Sequence, residues 1–153
     1  MPADRRRPPG ADLGTITRLL YEGRSCLVEV VNLTSETLTL TDATAVHGAF
    51  VTQPARRIAK NGRDAFGCQN LPKGLGVGCE GIVTYFVAED ATVTLHFDNP
   101  FAGRNFAGAQ FAGIAASMYT CEASAEAGDQ HVRIRFVIRP IPSSPRKTKG
   151  GLV

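Results

Sequence analysis

Apolar residues recur at every second position in several short segments, and this period of two restricts the fold more than any other feature of the sequence. In residues 92–97 (TVTLHF), Val93, Leu95 and Phe97 fall on one face. Two threonines and His96 fall on the other face. Successive side chains of a β-strand point to opposite faces, so a strand with one buried face shows this period. The pattern predicts a protein built from β-strands.

The same pattern occurs in segments on both sides of this one. Residues 26–33 (CLVEVVNL), 37–42 (TLTLTD) and 131–139 (HVRIRFVIR) alternate, and residues 81–88 (GIVTYFVA) are mostly apolar. A helix is indicated only weakly, over residues 16–21. Many short strands separated by turn residues are typical of two packed sheets. We therefore predict an all-β fold, a single antiparallel β-sandwich domain.

The two ends of the chain differ from its body in composition and charge. Residues 1–14 and 140–153 are rich in proline and basic residues, and we expect both to be disordered tails that flank a sandwich over residues 15–139. The formal net charge is +3, but residues 1–10 contribute +2 and residues 139–153 contribute +4, which leaves −3 for residues 11–138. A mildly acidic body does not indicate a phosphate-binding surface, so we expect no nucleic-acid partner.

The sequence shows no signal peptide and no apolar run long enough to span a bilayer, so we expect synthesis in the cytoplasm. Its four cysteines have neither CxxC nor zinc-site spacing, which favours free thiols over disulfides or a metal site. They are Cys26, Cys68, Cys79 and Cys121. Cys79 lies beside Glu80 in a glycine-rich turn, but no neighbouring cation would lower its pKa. We expect no cofactor.

The three histidines are far apart in the sequence and form neither a metal-binding nor a catalytic motif. They are His47, His96 and His131. The alternating pattern places His96 on the outward face of its strand. We therefore predict that the protein is not an enzyme.

A five-residue repeat, FAGRN-FAGAQ-FAGIA, places Phe101, Phe106 and Phe111 in step. One interpretation is a long loop or irregular edge strand whose phenylalanines pack back onto the sandwich, and we favour it. The other is an amphiphilic loop that enters a lipid interface, because no charged residue occurs between Asn105 and Cys121. We predict that Phe101 packs inside and that Phe106 or Phe111 faces outward.

Several segments together resemble the aegerolysin-like proteins. They are GLGVGCEGIVTY (residues 74–85), VTLHFDNPFAGRN (residues 93–105) and GDQHVRIRFVI (residues 128–138), with VEVVNLTSETLTL and HGAFVTQP in the expected order before them. The likeness covers roughly residues 25 to 139. It is greatest to the small component of binary insecticidal crystal toxins, and more distant to actinoporin-type cytolysins and fungal fruit-body lectins.

The resemblance implies a β-sandwich that binds membrane lipids without catalysing a reaction, in many members through sphingolipid head groups. Members often recruit a larger pore-forming partner protein, so the resemblance implies a two-component toxin, and insecticidal action is part of that expectation. Such a protein would act outside the producing cell, as a monomer or homodimer.

The corner FDNPFAGRN is the predicted binding site. Pro100 ends the strand and Gly103 permits a tight reversal. The proposed head-group ligands are hydrogen-bonding side chains and one phenylalanine ring. They belong to this corner and to the glycine-rich turn that precedes it in the sequence. They are Asp98, Asn99, Phe101, Arg104, Asn105 and Glu80.

Two alternatives accompany this prediction. Asp98 and Asn99 can instead hydrogen-bond the backbone of their own turn. The same corner also suits a lectin-like carbohydrate-binding or interaction module, which glycan binding would distinguish from vesicle binding. The candidate membrane contacts are Phe50, where relatives often carry tryptophan, with Phe106 and Phe111.

Overall fold

The computed structural model describes residues 13–14, 24–70, 78–128 and 130–142. Within these ranges the chain forms two five-stranded sheets that pack face to face. The strands are β1 (Ser25–Asn32), β2 (Leu38–His47), β3 (Ala49–Thr52), β4 (Arg57–Ile58), β5 (Arg63–Gln69), β6 (Gly78–Ala88), β7 (Ala91–Pro100), β8 (Phe106–Ala112), β9 (Tyr119–Ala125) and β10 (His131–Pro140). The predicted all-β sandwich is confirmed.

The inward faces predicted from the period of two form the core. On β7, for example, Val93, Leu95 and Phe97 are each 0% exposed. The Phe66 ring on β5 lies 5.9 Å from the Phe97 ring, which joins the two sheets across the core. Burial of such side chains stabilises the fold by roughly 25 cal/mol for each Å² of apolar surface removed from water.

The first sheet has the strand order β3-β5-β1-β10-β9 and contains one parallel pair. β1 pairs antiparallel with β5 but parallel with β10, so that Ser25 lies opposite His131. The predicted antiparallel arrangement holds for the other strand pairs of the described residues, and the β1–β10 pair is the exception. Alternation of side chains records which face is buried and carries no information about strand direction.

The second sheet, with the order β4-β2-β6-β7-β8, is antiparallel throughout. The phenylalanine repeat supplies its edge strand β8, which lies against β9 of the first sheet. A short 3-10 helix, Ala116–Met118, follows β8.

The weakly indicated helix over residues 16–21 and nearly all of the two predicted tails lie outside the described residues. Within the described part of the C-terminal end, β10 extends to Pro140. No helix in the described ranges is long and apolar enough to cross a membrane.

Candidate functional site

Four side chains form a row across the outer face of the second sheet. His47 on β2 pairs with Glu80 on β6, and Glu80 pairs with Asp98 on β7. Asp98 in turn pairs with Phe106 on β8. Directly paired residues of neighbouring strands project from the same face, so these four side chains stand next to one another. We call His47, Glu80, Asp98 and Phe106 the cross-strand row.

His96 adds a second imidazole beside this row. It precedes Asp98 by two residues on β7 and therefore shares its face. The Nε2 atom of His96 lies 2.6 Å from one carboxylate oxygen of Glu80, and Nε2 of His47 lies 3.7 Å from the other. Glu80 is thus held between two imidazoles, and its side chain is 20% exposed. Its position is fixed before any ligand arrives.

The row keeps two carboxylates close together. Burial, and then the charge of Glu80, raise the pKa of Asp98 above its usual value, and the nearby imidazoles oppose this rise. Neither carboxylate forms an ion pair with a lysine or arginine of the described residues. Glu29 on the first sheet differs, because Arg63 and Arg135 lie 3.0 Å and 3.2 Å from its two oxygens. Within the described residues, the cationic partners of Glu80 are thus limited to the two imidazoles, and neither carboxylate is neutralised by a lysine or arginine.

Phe106 forms an aromatic wall at one end of the row. Its side chain is 47% exposed, and its ring centre lies 5.2 Å from that of His96. The ring lies over Gly108, where a Cβ atom would come within 2.6 Å of the ring. The glycine of the second repeat thus allows the ring to lie along β8. Phe106 faces outward, as predicted for one of the two later phenylalanines.

The corner that follows β7 presents an aromatic ring and basic groups. Phe101 is 59% exposed, and the Arg24 guanidinium carbon lies 5.0 Å from its ring centre. The prediction that Phe101 packs inside is wrong, because β7 ends at Pro100 and the chain leaves the sheet there. Gly103 has a φ of 107°, which glycine adopts without strain. Arg104 is exposed and has no hydrogen bond or ion pair within the described ranges.

Asn99 does not belong to the exposed corner. Its side chain is 0% exposed, and its amide nitrogen donates to the carbonyl oxygens of Ser25 at 3.1 Å and Gln130 at 2.9 Å. These bonds join β7 to the opposite sheet. Asn99 therefore neither faces a ligand nor hydrogen-bonds the backbone of its own turn, which were the two predicted roles. The prediction that Asn99 contacts a head group is wrong. Its position two residues after the inward Phe97 was the available signal.

Asn105 is also engaged by the backbone. Its amide nitrogen donates to the carbonyl oxygens of Glu126 at 2.8 Å and Gly128 at 2.7 Å. These bonds fasten the start of β8 to the segment that follows β9. Asn105 therefore positions Phe106, its neighbour in the chain.

Two of the three candidate membrane contacts pack against the core. Phe50 is partly buried, with its ring centre 5.9 Å from that of Phe66. Phe111 is partly buried and stacks on Tyr119 at 6.3 Å. The repeat is therefore an edge strand with Phe111 turned inward and Phe106 turned outward. The edge strand agrees with the favoured interpretation, but only one of the three phenylalanines packs back onto the sandwich, because Phe101 and Phe106 are exposed.

The contact of two histidines with Glu80 was not predicted from the sequence. His47 and His96 lie far apart in the chain, and only the strand pairing brings both to Glu80. His131 lies elsewhere, where its Nδ1 atom and the Ser25 hydroxyl form a hydrogen bond. Ser25 is 0% exposed, so this hydroxyl is closed to a substrate. Among the described residues, no group of three or more potential ligands is arranged to hold a metal ion.

Comparison with solved structures supports the fold. The lipid-binding protein Nakanori matches with a TM-score of 0.68 and 14% identity, over 77% of this chain and 72% of Nakanori. RahU, solved in complex with a TRIS molecule, matches with a TM-score of 0.60 and 14% identity, over 79% of this chain and 98% of RahU. IP-1A from Alcaligenes faecalis matches with a TM-score of 0.60 and 10% identity, over 80% of this chain and 94% of IP-1A. No curated protein matched the sequence.

These neighbours share the fold of this chain, a small β-sandwich. The match to a family model confirms the aegerolysin-like resemblance drawn from the sequence motifs. Residues 15–127 match the family model of the Nakanori-like proteins. The chain therefore belongs to the Nakanori-like family.

Proposed function

We propose that this protein is a non-enzymatic, membrane-lipid-binding protein whose cross-strand row receives the cationic part of a lipid head group. The observation that carries the proposal is the row itself, with two carboxylates and an exposed phenylalanine on neighbouring strands. Membership in the Nakanori-like family supports lipid binding, because Nakanori itself is a lipid-binding protein.

The chemistry of the row suits a choline or ethanolammonium group. Glu80 and Asp98 place two carboxylates side by side in a patch that lacks a lysine or arginine partner within the described ranges. An ammonium group above this patch also meets the face of the Phe106 ring, and such a cation–π contact contributes about 0.5–2 kcal/mol. A free phosphate would be repelled by the same patch, so the cationic end of the lipid is the part that enters.

The corner beyond β7 suits the phosphate of the same head group. Arg104 is exposed, and it lies between the exposed residues Phe101 and Phe106 in the sequence. An arginine guanidinium donates two parallel hydrogen bonds to a phosphate. Exposed aromatic rings favour the interface between head groups and acyl chains. A zwitterionic head group is thus complementary to both the acidic row and the basic corner.

Vesicle co-sedimentation tests this proposal. We expect the protein to sediment with vesicles that contain phosphoethanolamine- or phosphocholine-bearing sphingolipids, and to remain in solution with vesicles whose lipids carry only anionic head groups. Glu80→Gln should weaken binding by roughly tenfold to a hundredfold, because a hydrogen bond to a charged group contributes about 1.5–3 kcal/mol. Arg104→Ala should weaken it by a similar factor.

Matched variants separate the site from general charge effects. Glu122→Gln removes an exposed carboxylate from β9 of the other sheet, and Arg57→Ala removes an exposed guanidinium from β4. Both should bind vesicles as the parent protein does. Glycan binding without vesicle binding would replace the proposal with the lectin-like alternative.

The resemblance to two-component toxins extends the proposal beyond binding. We propose a sphingolipid as the target, a larger pore-forming protein as the partner and a target membrane outside the producing cell. The protein alone should then release little dye from the vesicles that it binds. Rapid dye release by the protein alone would contradict the need for a partner.

A further inference from the structure

Three buried cysteines meet between the two sheets. Cys26 on β1 lies directly opposite Cys68 on β5, and Cys79 on β6 faces them from the second sheet. All three side chains are 0% exposed. The sulfur atoms of Cys26 and Cys79 lie 3.1 Å apart. This cluster is separate from the cross-strand row, because Cys79 points inward where its neighbour Glu80 points outward.

We propose that Cys26 and Cys79 are a site of oxidative cross-linking, at which a peroxide converts the two thiols into an intersheet disulfide. The sulfur atoms, 3.1 Å apart, must approach by about 1 Å to reach the S–S bond length of about 2.05 Å. Because β1 and β6 belong to different sheets, the bond would link the two halves of the sandwich covalently.

The reaction balances with a peroxide as the oxidant. One thiolate attacks a peroxide oxygen, the O–O bond breaks, and a sulfenic acid and one water form. The sulfur of the second thiol then attacks the sulfenic sulfur, the S–O bond breaks, and a second water leaves. The two thiols together lose two electrons and two protons, and hydrogen peroxide is reduced to two waters.

Geometry selects Cys79 and Cys26 over the third cysteine. The Cys68 sulfur lies 3.9 Å from the carbonyl oxygen of His47, to which its thiol donates. Cys68 also interacts with Cys79, but the sulfur atoms that lie 3.1 Å apart and share a hydrogen bond are those of Cys26 and Cys79. The hydrogen bond with Cys26 raises the pKa of Cys79, the interaction with Cys68 opposes this rise, and burial adds to it. A thiol with a raised pKa is less reactive than a thiolate.

The cross-link would stabilise the folded protein. It closes a long loop of chain between β1 and β6, and a disulfide that closes such a loop restricts the unfolded state. We expect a rise in Tm of roughly 5–15 °C relative to the reduced protein.

Peptide mapping after mild hydrogen peroxide treatment of the native full-length chain tests this proposal. The intact mass should fall by about 2 Da, and digestion should yield one linked peptide pair that contains Cys26 and Cys79. Cys121→Ser, which removes a thiol outside the cluster, should leave the linked pair unchanged. Cys26→Ala should abolish it, with circular dichroism used to confirm that the variant is folded.

Peptide mapping of the wild-type protein shows whether Cys26 and Cys79 become linked, even if the Cys26→Ala variant fails to fold. A linked pair that contains Cys68 or Cys121, or oxygen addition to Cys26 and Cys79 without a link, would overturn the proposal. So would a linked pair that forms only in denaturant.

Discussion

Replacing Asn99 with alanine should destabilise the sandwich while leaving its outer face intact. The Asn99 amide nitrogen donates to the carbonyl oxygens of Ser25 and Gln130 at 3.1 Å and 2.9 Å, and no other side chain makes this pair of intersheet bonds within the described ranges. The Asn99 Oδ1 atom is buried without a hydrogen-bond partner, so its removal costs no hydrogen bond. The hydrogen bonds that the substitution removes are therefore the two donated by the amide nitrogen.

The magnitude follows from those two bonds. A typical intramolecular hydrogen bond contributes about 0.5–1.5 kcal/mol to stability, so Asn99→Ala should lower the free energy of unfolding by about 1–3 kcal/mol. The decrease in the free energy of unfolding is limited because the Gln130 carbonyl oxygen keeps another hydrogen bond, which it accepts from the Ser25 backbone nitrogen at 2.8 Å. Urea denaturation monitored by circular dichroism measures the difference, with an unchanged m-value as the sign of two-state unfolding.

Asn105→Ala is the matched control. Asn105 also donates from its amide nitrogen to two carbonyl oxygens, at 2.8 Å and 2.7 Å, but those bonds are exposed to solvent. Water can replace the lost donor there, so we expect a change below about 1 kcal/mol. An Asn99→Ala variant with unchanged stability and no vesicle binding would contradict the structural role of Asn99, since that result would assign it a ligand role.

Two further predictions separate faces and charges in the second sheet. Phe111→Ala should lower the free energy of unfolding by about 2–4 kcal/mol because its ring packs on the core, whereas Phe106→Ala should cost less than about 1 kcal/mol and weaken vesicle binding. Denaturation and co-sedimentation of the two variants check both halves, and equal destabilisation would contradict the assignment of faces. Burial, and then the charge of Glu80, raise the pKa of Asp98 in the folded state. Protonated Asp98 therefore contributes to the stability of the fold at low pH, and this contribution is lost as pH rises through the raised pKa. Asp98→Asn should therefore raise Tm at about pH 7 and leave it unchanged at about pH 3, and the opposite pH dependence would contradict the sign.

Alternation predicted the faces of individual strands and could not predict how the strands pair. The turn between β6 and β7 shows why, because a register shift occurs between Phe86 and Ala88. Without that bulge, Glu80 would lie opposite the inward Asn99 instead of Asp98. A one-residue shift exchanges the two faces of a strand, and no feature of the sequence marks this bulge.

The site was predicted only in part, because the pairing of the strands could not be read from the sequence. Glu80 and Asp98 were chosen from one motif each, whereas His47 and His96 join them only through the pairing of β2, β6 and β7. Asn99, by contrast, could have been assigned to the core, because the period of two that buries Phe97 also buries the residue two positions later. Where the strand ends, as at Phe101, the period no longer applies and the orientation of the ring could not be read from it.

The central claim, that the cross-strand row receives a cationic head group, is tested most directly by nuclear magnetic resonance with a soluble head group. Phosphoethanolamine titrated into ¹⁵N-labelled protein should shift the backbone amide signals of Glu80, Asp98 and Phe106, with smaller changes near Arg104. Ethanolamine alone should shift the amide signals of the cross-strand row and leave the amide signal of Arg104 unchanged. Shifts confined to the exposed apolar residues Ile114 and Met118, at the other end of β8, would contradict the account.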